Sequence, residues 1–108
     1  MTDKELNLRA GLAAFSGEGR VVEVDLDSFN PLTSGDDLVR LLIETGISFH
    51  RPSSGVMVAW TGDHSVEVKI QNGNEVPAAA RAACELAASW ISDDYVKDWK
   101  IGAGRVIR

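Results

Sequence analysis

Residues 28–48 read SFNPLTSGDDLVRLLIETGIS, and they hold the start, body and stop of one helix. Pro31 lacks an amide hydrogen and pushes Asn30 toward extended backbone, so the chain turns before a helix begins. Ser34 offers an N-cap, and Asp36 and Asp37 fall in the first turn, where the positive end of the helix dipole favours carboxylates. Leu38, Leu41, Leu42 and Thr45 follow at i, i+3, i+4, i+7 spacing, and Gly46 supplies a left-handed stop. Val39 and Ile43 widen the apolar face until Asp37, Arg40 and Glu44 form the remaining polar strip, which predicts a helix held between other layers. Ile47 and Phe49 then lead away as a strand.

Upstream, Arg20 to Asp27 alternates strictly, with Val22, Val24 and Leu26 on one side and Glu23, Asp25 and Asp27 on the other. Same-face neighbours on a strand lie about 7 Å apart, so such a ladder is tolerated in water and attracts cations or basic partners. Two readings follow: a solvated edge strand whose charges discourage sheet pairing, and a docking surface for a basic partner. Ser16 to Gly19 is a turn by composition. Ahead of it, Thr2 or Asp3 caps a helix whose apolar positions are Leu6, Leu8, Ala10, Leu12, Ala13 and Phe15, although Gly11 costs its middle about 1 kcal/mol relative to Ala.

Downstream, Ile47 to His50 reads as a short strand, Arg51 to Gly55 as a turn, Val56 to Trp60 as an apolar run, and Ser65 to Ile70 as an alternating strand. Connections this short predict an antiparallel meander. Asn74 then stands as N-cap, with Pro77 near the first turn, to a helix rich in alanine: Ala78, Ala79, Ala82, Ala83, Leu86, Ala87 and Trp90 cover most of it, and Arg81, Glu85 and Ser89 form a polar stripe. Small residues let such a helix lie close against a sheet, and Cys84 reads as a small buried hydrophobe. From Ser92 the chain mixes Tyr95, Trp99, Lys97, Lys100, Arg105 and Arg108 around Gly102 and Gly104. That tail reads either as an edge strand on Val96, Trp99 and Ile101, with Val106 and Ile107 closing onto the sheet, or as a contact for a partner or second copy.

The chain has 108 residues, enough for one domain, with 44% hydrophobic content and a net charge of −5. Residues 1–50 carry nine acids against four bases and residues 51–108 seven of each, so the excess lies in the first half. That sign argues against direct nucleic-acid binding. No apolar run approaches the ~18 residues of a membrane span. The charges in MTDKELNLRAGLAAF interrupt what a signal peptide requires, and a lone cysteine forms no internal disulfide, so the expected setting is cytoplasmic.

Phe29-Asn30-Pro31, the Asp37–Ile43 helix, Gly46-Ile47-Ser48, the meander, Asn74, Pro77 and the Ala82-Ala83 pair together resemble the small phage proteins with the phage ABA sandwich domain, including the NinX-like group. DKELNLRAGLAAF also looks like that family's N-terminal helix. The resemblance spans residues 3–91; two residues separate Asn74 from Pro77, and the tail has no counterpart. It implies a phage or prophage origin and an α+β, three-layer α/β/α sandwich. Helices near residues 3–15, 35–45 and 76–91 then flank an antiparallel sheet of three to five strands. It implies no reaction.

The residues add no catalytic constellation. His50 and His64, with Asp63, match no metal-ligand spacing. Ser53 and Ser54 lack the strand, elbow and helix of a nucleophile, and Gly102 to Arg105 is no phosphate loop. Nothing buries the Glu23, Asp25, Asp27 ladder to split its pKa values. The expectation is therefore a non-enzymatic protein without cofactor or metal. It would inhibit a bacterial host defence protein, anti-CRISPR-like, by acidic mimicry of nucleic acid. The binding residues would be Glu23, Asp25, Asp27, Asp36 and Asp37, with Tyr95, Trp99, Lys100 and Arg105 of the tail. The alternatives are a sponge for a cyclic-nucleotide signal, held between subunits of a homodimer by Arg51, Trp60, Trp99, Lys100 and Arg105, and a scaffolding accessory protein.

Overall fold

The turn before the central helix is wired in place by side chains. A computed structural model describes residues 1–15, 24–101 and 106–107 of the chain. Its elements are α1 (Asp3–Phe15), β1 (Val24–Asp25), α2 (Gly35–Thr45), β2 (Ser48–Ser53), β3 (Val56–Thr61), β4 (His64–Lys69), α3 (Glu75–Ala88), α4 (Asp93–Ile101) and β5 (Val106–Ile107). Pro31 is fully buried. Asn30 N–H donates to Asp37 Oδ2 at 2.8 Å, and Asn7 of α1 reaches across to Asn30 Oδ1 and to the Leu32 amide. Ser34 caps α2 by accepting from Asp37 N–H, and Gly46, at φ 73°, closes it with its N–H on the Leu42 carbonyl.

The α+β class, the antiparallel meander and the three expected helices are present. The sheet runs β2-β3-β4, with Ala59 opposite Phe49 and Val66, and Met57 opposite Val68. α3 packs on the face that carries Met57, Ala59, Val66 and Val68, and α1 packs on α3, with α2 against α1. The layers are three, in the order sheet, α3, then α1 with α2. On the sheet's other face Ser48, Trp60, Ser65, Glu67 and Lys69 stay exposed. Being covered on two sides is what makes α3 so rich in alanine: Ala78 and Ala79 meet Met57, Val68 and Ile70, whereas Ala82, Ala83 and Ala87 join the core shared with α1. Thr2 caps α1, its Oγ1 accepting from Glu5 N–H at 3.1 Å. Gly11 has its own reason: a Cβ there would stand 2.8 Å from Leu26 Cδ2 and 3.1 Å from Phe29 Cδ2, so glycine lets α1 touch the following turn.

Five expectations change. Within the alternating segment, Arg20 to Glu23 lie outside the described residues and Val24–Asp25 is strand, but Leu26 to Ser28 turn, with Asp27 N–H on Asp25 Oδ1 and Ser28 N–H on the Asp25 carbonyl, so Asp25 and Asp27 do not form one strand face. Val96, Trp99 and Ile101 belong to a helix, α4: α3 ends at Ala88, and Ser92 starts the new helix by accepting from Tyr95 N–H. Asn74 occupies the N-cap position of α3 without a side-chain capping bond. α2 is a surface helix: Leu38 and Leu41 are buried, but Val39 is 55% and Ile43 74% exposed, because α3 already fills the position between layers. β5 pairs with β1, Val24 opposite Ile107 and Asp25 opposite Val106, and not with the meander. The expected turn at Ser16 to Gly19 and the Gly102 to Gly104 segment lie outside the described residues.

Candidate partner-binding groove

An open groove of ≈ 870 Å³ runs between the first two turns of α1 and the segment from Asp27 to Thr33. Its acidic groups are Asp3, Glu5 and Asp27, against Lys4. Asn7 and Asn30 form its floor, held by the 2.9 Å bond between their amides, with Phe29 and Leu32 as its apolar lining. The turn that displaces Asp27 from the strand is what delivers its side chain here. Phe29 is itself anchored by an edge-to-face contact with Phe15, ring centroids 5.2 Å apart.

The carboxylates are not equally available. Asp3 accepts from Arg81 Nη1 at 3.2 Å, and that bond holds the Arg81 guanidinium above its ordinary pKa; burial opposes the rise and Glu85 adds to it. Glu5 lies 3.7 Å from Arg9 Nη2. Asp27 is exposed and makes no ion pair with the described residues, which leaves it the freest negative charge in the groove. Asp25 is exposed, but its strand is already paired with β5 and its carboxylate closes the turn. Asp36 is exposed on the first turn of α2, and Asp37 is committed to the Asn30 amide. Of the five acidic positions expected to bind, then, Asp27 lines the groove, Asp25 and Asp37 have structural duties, Asp36 is free nearby in sequence, and Glu23 lies outside the described residues.

Of the tail residues expected to bind, Tyr95 is not among the groove's lining. Tyr95 is exposed on α4, whose first turn is tied to α1 through Arg9. Trp99 and Lys100 belong to the backbone of α4, and Arg105 lies outside the described residues. Arg51 Nε pairs with Glu75 Oε2 at 3.4 Å, and Trp60, 43% exposed, stands on the open face of the sheet.

Arg9 is the residue that periodicity does not reveal. It is 7% exposed, donates from Nη1 to the Ile91 carbonyl at 2.9 Å, and pairs through Nη2 with Asp93, while its Nε has no partner. Its only sequence signal is a charge on the apolar side of α1. Cys84 is fully buried, and burial pushes its thiol up to about 12, so it is no nucleophile. No group of three or more His, Cys, Asp or Glu side chains is placed to hold a metal ion among the described residues, and none of their helices is long and apolar enough to cross a membrane. No family model, curated protein or solved structure matches this chain.

Proposed function

We propose that this is a phage-encoded, non-enzymatic protein of the host cytoplasm that inhibits a bacterial defence protein by occupying its basic, nucleic-acid-binding surface. The carrying observation is the acidic groove: Asp27, Asp3 and Glu5 line one concave surface, in the half of the chain that holds the whole charge excess. A concave acidic surface with an unpaired carboxylate attracts a basic loop or helix and raises its association rate. The Asn-Pro turn and Gly-Ile-Ser exit, which resemble the phage sandwich proteins, support the origin.

The test is capture from bacterial host lysate with the wild-type chain and with an Asp27→Lys, Glu5→Gln variant. The expected result is a basic nucleic-acid-binding protein retained by the wild type, lost with the variant, and lost in 0.5 M salt, where the Debye length is about 4 Å. Capture that survives both the substitutions and the salt would overturn acidic mimicry.

A further inference from the structure

Among the described residues, one edge of the meander is unpaired, and it is complementary to itself. There β4 has a neighbour on one side only. Thr61 stands opposite His64 across the turn at Gly62 and Asp63, and Ile70 N–H donates to the Gly55 carbonyl at 2.9 Å. Alternation between those two points turns the main-chain groups of His64, Val66 and Val68 toward β3 and those of Ser65, Glu67 and Lys69 outward, with no strand beside them among the described residues. The opposite edge is blunted, because β2 contains Pro52 and its register shifts between His50 and Ser53. β4 is regular over its six residues.

Charge selects how this edge can meet a copy of itself. Glu67 and Lys69 are exposed on the open face and make no ion pair with the described residues, while Val66, Val68 and Ile70 are half-buried against the core. An antiparallel two-fold pairing centred on Glu67 sets that carboxylate against its own copy. One centred on Val66 puts Ser65 opposite Glu67 and sets Lys69 against Asp63, which lies in the turn beyond the end of β4 and outside its ladder. The register centred on Val68 sets Glu67 opposite Lys69 of the second copy, twice by symmetry, and continues the apolar row of Val66, Val68 and Ile70 across the axis. Opposite charges directly across a ladder stabilise it, and like charges weaken it.

We propose that a second copy of this chain docks edge to edge along β4 in the register centred on Val68, joining the two meanders into one six-stranded antiparallel sheet. The partner is the chain itself, since the same short strand supplies both members of each ion pair. This interface lies on the sheet, apart from the acidic groove, and stands or falls independently of it.

The experiment is sedimentation velocity of the full chain at on the order of 100 μM, with circular dichroism to confirm folding of each variant. The wild type sediments as a dimer. Glu67→Lys and Lys69→Glu each set like charges together and weaken self-association by about tenfold or more. Mixing the two variants in equal amounts restores a dimer, because the lysine introduced in one then faces the glutamate introduced in the other, and the double variant E67K/K69E restores it alone. A monomeric wild type, a dimer indifferent to both reversals, or folded variants whose mixture stays monomeric would each overturn the proposal.

Discussion

Ser34 and Ser92 do the same work at two places. Each accepts a hydrogen bond from the amide three residues on, and each is followed within three residues by a pair of aspartates. The first is legible because an Asn-Pro turn clears the chain of structure before it. The second follows Trp90 and Ile91, which extend the alanine periodicity, so a helix start reads as a break inside a helix. Cys84 carries a pH prediction at this scale. Its thiol is raised from 9.0 to about 12 in the folded chain by burial, so between those values the unfolded chain loses its proton and the folded chain keeps it. Stability is whole below pH 9 and falls as pH rises through that window, by up to about 1.4 kcal/mol per unit. Urea unfolding between about pH 8 and 10.5 should show a steeper alkaline loss in the wild type than in Cys84→Ala.

Among the elements, the start of α4 is tied to α1 through Arg9. Arg9 satisfies the Ile91 carbonyl and pairs with Asp93 at the point where α3 ends and α4 begins, while Val96 seats the new helix in the core. A contact between residues this far apart in sequence leaves no periodic trace, which is why the helix and its anchor are both illegible. Replacing Arg9 by Met keeps the apolar stem but abandons the carbonyl, at a cost on the order of 1–3 kcal/mol. Hydrogen exchange should rise in α4 more than in α3. Exchange that rises equally in both would mean that Arg9 supports the core at large. In α2, by contrast, the start and stop are readable from Ser34 and Gly46, but the exposure of Val39 and Ile43 is not. Periodicity reports which residues share a face, and the neighbours decide whether that face is covered.

For the whole molecule, the alanine helix α3 and not the sheet is the middle layer. The alanines announce a close contact on one side; contact on both sides is beyond the pattern, since small residues permit it without specifying a partner. Ala83, fully buried among α1, α3 and the sheet, is the sharpest probe. Ala83→Leu should overpack the interlayer space and lower stability by about 1–3 kcal/mol, whereas Val76→Leu, exposed in the first turn of α3, should change it by less than about 0.5 kcal/mol. Thermal unfolding of the two variants side by side reads the difference. The groove is half legible: the alternating pattern singles out Asp27 for its charge, but its place beside Asp3 and Glu5 depends on a turn that interrupts the alternation.

The pairing of α1 with α3 and with the start of α4 also sets a timetable. α1 is the first of these elements a ribosome makes, and Phe15 can meet Phe29 early, yet the core that α1 shares with α3 closes only when residues 75–96 have emerged. At roughly 5–20 residues per second, the α3-facing side of α1 waits several seconds for those residues. The consequence is an apolar surface left open during synthesis for as long as residues 75–96 take to follow.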